Sequence, residues 1–136
     1  MNRIVPVGVL HTREMVGLLN ETTRAAITAE DLKERLTRDR SVWSVAETAD
    51  GSVLGFQWIE PATGSPADEA EIATVIRDLK IGFSLFERTK AQAKKIGYRW
   101  INAEVRPENE NSLSYYQSRG FEAIRRAETL LMRYEL

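Results

Sequence analysis

The sequence predicts an α/β fold, a single mixed and mostly antiparallel central sheet flanked by helices, in the order β, α, α, β, β, β, α, β, α, β, β. Three observations lead there. Segments rich in β-branched and aromatic residues alternate with segments whose apolar residues recur at helical spacing. Asp50-Gly51, between the two clearest strand segments, is a hairpin signal that makes those strands antiparallel neighbours. The length, 136 residues with 43% apolar and 29% charged, suits one globular domain spanning residues 1–136 and leaves no room for a two-domain enzyme.

Taken in order, Ile4, Val5 and Val7 read as a short strand. Thr12 is placed to cap a helix from about Arg13 to Thr23, whose Met15, Leu18, Leu19 and Thr22 share a face. Thr28, with Asp31 three residues on, predicts the capping box of a second helix that ends near Asp39. Val42–Glu47 and Val53–Ile59 form the hairpin, and residues 61–66 are a loop by composition. Ile72–Ile76 is the next strand. It runs into the best-defined helix, about Ile81 to Lys95, whose apolar face ends at Gly97. Trp100–Val105 is a strand stopped by Pro107, Asn109–Ser118 a short helix closed by Gly120, and Phe121–Ile124 with Leu130–Leu136 a final antiparallel pair.

Composition excludes several chemistries. With no cysteine, thiolate nucleophiles, disulfides and Cys-ligated zinc are ruled out. The sole histidine, His11, is expected on the surface at a helix start, because no second ligand pattern accompanies it. The formal charge of -1 is too even for a dedicated nucleic-acid binder. No signal peptide is recognisable and no apolar stretch approaches the roughly 20 residues that span a bilayer, so no membrane partner and a cytoplasmic location are expected. The even charge hides a gradient. Residues 1–68 carry 7 basic and 10 acidic residues, residues 69–136 carry 12 and 10, and residues 77–106 alone are locally +5 from 8 basic and 3 acidic side chains.

That basic strip begins where the strand through Thr74-Val75-Ile76 meets the helix through Arg77-Asp78-Leu79-Lys80-Ile81-Gly82. A helix start offers unpaired backbone N–H groups and the positive end of the helix dipole, which suit a phosphate or pyrophosphate. Gly82 lets a ligand approach the backbone, and Arg77 and Lys80 add charge. Neither a Rossmann GxGxxG nor a Walker GxxxxGK[ST] pattern occurs.

A second element, Asn109 to Phe121, reads Asn, seven residues to Tyr116, then Gly120-Phe121. It resembles the closing motif of the GNAT superfamily of acyl-CoA-dependent N-acyltransferases. Family members share the element order above and carry (Arg or Gln)-x-x-Gly-x-(Gly or Ala) at the same strand-to-helix junction. Arg77-x-x-Lys80-x-Gly82 fits it with one departure, Lys80 where a glycine is expected. Gly97 to Ala103 together with Tyr115 to Phe121 looks like the phosphinothricin acetyltransferase-like branch, whose members usually carry a longer junction than Arg77 to Lys80.

The resemblance implies an acetyl-CoA-dependent N-acetyltransferase acting on a primary amine of a small molecule, an amino acid or xenobiotic-like compound. A non-catalytic acyl-CoA-binding module and a protein lysine or N-terminal acetyltransferase are its alternatives. Acetyl-CoA is the implied co-substrate, no metal is implied, and a homodimer is the implied assembly. The amine attacks the thioester directly, so no enzyme nucleophile is required, which accords with zero cysteines. The implied cofactor-binding residues are Val75, Ile76, Arg77, Lys80, Ile81, Gly82, Phe83, Asn109 and Tyr116, with the N–H of Val75 or Ile76 facing the thioester oxygen. Tyr116 is the implied general acid, since a phenol of pKa about 10 is protonated at neutral pH and can protonate a departing thiolate. Glu71 or Glu104 would serve as base, Glu71 slightly ahead. Trp43, Phe56, Trp58 and Glu60 lie on the paired strands, where alternation sends some of them to the core.

Overall fold

The computed structural model describes residues 3–8, 11–23, 28–62, 64, 66–76 and 79–136. Among them the element order is the predicted one: β1 (Arg3–Pro6), α1 (Thr12–Thr23), α2 (Ala29–Leu36), β2 (Val42–Glu47), β3 (Val53–Pro61), β4 (Glu69–Ile76), α3 (Gly82–Ile96), β5 (Trp100–Val105), α4 (Glu110–Ser118), β6 (Glu122–Arg125) and β7 (Leu130–Glu135). A single 3-10 turn, Leu79–Ile81, leads into α3. The side chain of Thr22 lies outside the described residues, as do Arg77 and Asp78.

Local chemistry explains most boundaries. The capping box of α2 is present, with the Thr28 hydroxyl accepting from Asp31 N–H and the Asp31 carboxylate accepting from Thr28 N–H, both at 3.1 Å. This helix stops at Leu36 rather than near Asp39, because the Thr37 hydroxyl donates to Glu34 O at 2.9 Å and Arg40 adopts a positive φ of 59°. β1 ends at Pro6, one residue short of Val7, since proline offers no N–H to continue a ladder. β3 and β4 extend further than predicted, to Pro61 and from Glu69, because each supplies the other's partner through Pro61↔Ala70. Gly97, at φ 103°, turns the chain out of α3 while its N–H bonds Ala93 O and Lys94 O.

The seven strands form one sheet in the order β1-β2-β3-β4-β5-β7-β6, antiparallel throughout except for β4 beside β5. Side chains alternate between the two faces. On one face Met15, Leu18 and Leu19 of α1 and Leu32 of α2 cover Val45, Phe56 and Val75. On the other, Phe86 and Ala93 of α3 and Tyr116 of α4 cover Ile59, Ile72, Ile101 and Met132. Burying a side chain such as Phe56 or Ile59 completely contributes about 1.5–3 kcal/mol, so both layers are needed to hold the sheet. Among the described residues no helix is long and apolar enough to cross a membrane.

One feature of the sheet is decisive. β4 pairs with β3 along its length, from Ala70 to Ile76, yet with β5 through only Glu69↔Trp100, Ala70↔Ile101 and Glu71↔Asn102. Beyond Glu71 the two strands part, while β5 remains paired to β7 as far as Val105. The sheet is thus two twisted halves joined at one end and open at the other.

Candidate active site

The open end exposes one edge of β4, and the hydrogen bonds at its start fix which groups lie there. Asp68 O accepts from Trp100 N–H at 3.1 Å, toward β5, whereas Glu69 O accepts from Ala62 N–H at 3.1 Å, on the β3 side. The register between β3 and β4 runs unbroken, so backbone direction alternates strictly from there. The backbone groups of Ile72, Thr74 and Ile76 therefore face the gap. Those of Val75 face β3, so of the two N–H groups named for the thioester oxygen, that of Ile76 is on the gap side.

At its far end the gap meets the start of α3. Ile81 occupies the N-cap position with no side-chain cap, so the first N–H groups of α3 are not taken up by a capping side chain. Lys80 is exposed there. The Ile81 side chain packs instead with Ala46 and Leu85, leaving only its backbone for a ligand. Gly82 is required by a close approach, because a Cβ there would lie 2.6 Å from Cε1 of Tyr115. Phe83 is 59% exposed, and the Arg119 guanidinium stands 5.0 Å from its ring. Both line a groove of about 230 Å³ with Asn111, Ser114, Tyr115 and Ser118, and Nε and Nη1 of Arg119 are buried without hydrogen-bond partners among the described residues.

Asn109 caps α4 by accepting from Ser112 N–H at 3.2 Å, which presents two tyrosines to the gap. A cavity of about 150 Å³ is lined by Thr74, Ile76, Asn111, Ser112, Tyr115 and Tyr116. The Tyr116 hydroxyl lies 3.1 Å from Thr74 Oγ1. Burial pushes the Tyr116 phenol up, and the bond with Thr74 pulls it back. Its neighbour is held differently. Tyr115 donates to Gly82 O at 2.8 Å and accepts from Gln57 Nε2 at 3.0 Å, and burial pushes its phenol up to about 12.

Glu71 and Glu104 reach the gap from the opposite face of the sheet, with Asn102. They line a polar cavity of about 330 Å³ together with Glu69, Arg126 and Arg133. Glu69 is neutralised, accepting from Asn102 Nδ2 at 2.7 Å and Arg133 Nη2 at 3.0 Å, and Arg133 in turn stacks 4.0 Å from the Trp100 ring. Glu71 has no hydrogen-bond or ion-pair partner among the described residues. It faces Glu60 directly across β3 and β4. Burial, then the charges of Glu60 and Glu104, hold its carboxyl above the usual glutamate range. The gap thus has a phenol on one face and a carboxyl with raised proton affinity on the other.

Several residues singled out in the sequence stand apart from this arrangement. His11 is not a surface residue: its side chain is 12% exposed, its Nε2 lies 2.6 Å from Glu47 Oε2, and its Nδ1 accepts from Gly8 N–H at 2.8 Å. With Arg3 at 2.6 Å from the other Glu47 oxygen, it ties β1 and the start of α1 to β2. Trp43, Phe56 and Trp58 all go to the core as one stack, Trp43 and Trp58 being 4.5 Å apart. Gln57 and Arg119 were not singled out, although Gln57, between the inward-facing Phe56 and Trp58, is a polar residue in a strand of otherwise apolar centre. Among the described residues no cluster of His, Asp or Glu is arranged to hold a metal ion.

No family model and no curated protein sequence matches this chain. Solved structures do. A GNAT superfamily phosphinothricin acetyltransferase from Sinorhizobium meliloti in complex with acetyl-CoA superposes with a TM-score of 0.86, covering 99% of this chain and 88% of that one at 16% identity. This chain has the GNAT fold. Salmonella typhimurium yncA, with its cofactor acetyl-CoA, shares that fold at a TM-score of 0.88, covering 100% and 94% at 13% identity. So does the ribosomal-protein-alanine N-acetyltransferase of Brucella melitensis, at a TM-score of 0.87, 98% and 99% coverage and 18% identity. The cavity beside Thr74 and Ile76 and the groove beside Phe83 and Arg119 share Asn111 and Tyr115 of α4.

Proposed function

We propose that the chain is an acetyl-CoA-dependent N-acetyltransferase that acts as a single domain on a primary amine of a small molecule. The observation that carries this reading is the gap between β4 and β5: a strand edge not paired to β5 beyond Glu71, a helix start without a side-chain cap at one end, a phenol on one face and, on the other, a carboxylate without a partner among the described residues. The two solved structures above with acetyl-CoA support the co-substrate, and the fit of this chain's own groups supports it independently.

In this reading the amide-bearing arm of acetyl-CoA lies along β4, pairing with the edge formed by Ile72, Thr74 and Ile76 as an added strand would. Its phosphates meet the N–H groups at the start of α3 and the charge of Lys80. The Ile76 N–H donates to the thioester oxygen as it becomes an oxyanion. The amine enters through the polar cavity, where Glu71, directly or through a water, takes its proton. The raised proton affinity of Glu71 brings it nearer to that of the amine it must deprotonate. As the C–N bond forms and the C–S bond breaks, Tyr116 gives its proton to sulfur. Base and acid work from opposite faces, so neither blocks the other.

The test is amine-dependent release of free thiol from acetyl-CoA across a panel of small amines. We expect release with the wild-type chain and a loss of about 100-fold in kcat for Tyr116→Phe with KM for acetyl-CoA little changed. Acetyl-CoA that raises the melting temperature without thiol release from any amine would mark a binding module, and the absence of both effects would refute the reading.

A further inference from the structure

We propose that Gln57 and Thr74 are positioning residues for Tyr116: hydrogens donated from the Gln57 amide to Thr74, and from Thr74 to the Tyr116 oxygen, leave the phenol hydrogen of Tyr116 free to enter the gap. The inference rests on the proposed role of Tyr116 as proton donor.

The direction of every bond but the last follows from counting hydrogens. Gly82 O can only accept, so the single hydroxyl hydrogen of Tyr115 is spent on it, at 2.8 Å. The Tyr115 oxygen must therefore accept from Gln57, which makes the Gln57 atom 3.0 Å away its amide nitrogen and settles the orientation of that side chain. The same nitrogen carries a second hydrogen and lies 3.0 Å from Thr74 Oγ1. Thr74 thus receives one hydrogen and keeps its own, with Tyr116 OH 3.1 Å away.

Two arrangements of that last bond satisfy the count. If Tyr116 donated to Thr74, the hydrogen left for the gap would be an aliphatic hydroxyl's, too weakly acidic to be given up. If Thr74 donates to Tyr116, three groups polarise one another in sequence, and the hydrogen left over is the phenol's. The second arrangement also stabilises the product of transfer. When the C–S bond breaks, its electron pair goes to sulfur, the Tyr116 O–H bond breaks and its proton joins the sulfur. The phenolate that remains accepts from Thr74, whose oxygen is already held by Gln57, until solvent returns the proton. The lowering of the Tyr116 phenol by Thr74 acts in the same sense.

Tyr115 is excluded as the donor by the same count, since its hydrogen is committed to Gly82. Gln57 is fully buried, and its Oε1 has no hydrogen-bond partner among the described residues. An apolar residue would satisfy packing at that point with no orphaned carbonyl. A donor role accounts for an amide there.

The experiment compares Thr74→Val, Thr74→Ser and Gln57→Met with the wild type in thiol release, and follows the Tyr116 Cζ resonance by NMR at neutral pH without ligand. We expect Thr74→Val to lower kcat roughly tenfold or more with KM for acetyl-CoA nearly unchanged, Gln57→Met to lower it less, and Thr74→Ser to restore most of the loss. The Tyr116 resonance should shift in Thr74→Val and Gln57→Met and stay near its wild-type position in Thr74→Ser. Wild-type turnover in Thr74→Val, or equal losses in the valine and serine variants, would overturn the proposal. Should the wild type transfer acetyl to no amine, the proposed function fails on that result, while an unmoved Tyr116 resonance in Thr74→Val would separately refute the donor chain.

Discussion

Tyr115 and Tyr116 are chemically identical and adjacent, yet a difference of one position in α4 gives them opposite fates. Tyr115 points over the start of α3 and commits its hydrogen to Gly82, whereas Tyr116 points to Thr74 at the gap. The spacing from Asn109 to Gly120-Phe121 selected Tyr116 from the sequence, but nothing in the sequence showed what Tyr115 does. Gln57 and Thr74 were illegible for a related reason: alternation assigns a strand residue to a face and says nothing of which helix arrives there. Glu71 carries a prediction at this scale. Its proton is held more tightly in the folded chain than in the unfolded one, so its contribution to stability falls as pH rises from the usual glutamate value through the raised one. Glu71→Gln should therefore lose acetyl transfer yet melt at a higher temperature than the wild type at pH 8. That gap in melting temperature should close by pH 4, where both side chains are neutral. A variant less stable than the wild type at pH 8 would contradict the raised proton affinity of Glu71.

Elements were easier to foresee than what they leave open. Hydrophobic period, the Thr28–Asp31 box, the Asp50-Gly51 turn and Gly97 placed the helices and strands within a few residues. The parting of β4 from β5 was not legible, because it depends on which strands pair, and Thr74-Val75-Ile76 reads as an ordinary buried strand either way. The junction between β4 and α3 is short, and Lys80 stands where the motif expects glycine. A lysine side chain there substitutes a mobile charge for a close backbone contact, and charge is screened by salt where a backbone hydrogen bond is not. Lys80→Ala should weaken acetyl-CoA binding severalfold at about 20 mM salt, with the difference shrinking toward about 0.5 M, as calorimetry at the two ionic strengths would show. A loss independent of salt would mean that Lys80 acts by packing.

At the scale of the molecule, the sheet's two halves divide the labour. β1 to β4 with α1 and α2 make one block, tied at its edge by the Arg3–Glu47–His11 cluster, and β5, β7 and β6 with α4 make the other. They are bridged by three residue pairs between β4 and β5 and by α3, and everything proposed for catalysis lies where they separate. The net charge of -1 conceals the basic strip at residues 77–106, whose +5 is offset by an acidic excess over the rest of the chain. Amide hydrogen exchange, followed residue by residue by NMR with and without acetyl-CoA, tests that central claim most directly. The amides of Thr74 and Ile76 should gain strong protection on binding, while that of Val75, already turned to β3, should change little. Protection gained elsewhere, with Thr74 and Ile76 exchanging as before, would show that the gap between β4 and β5 is not where acetyl-CoA lies.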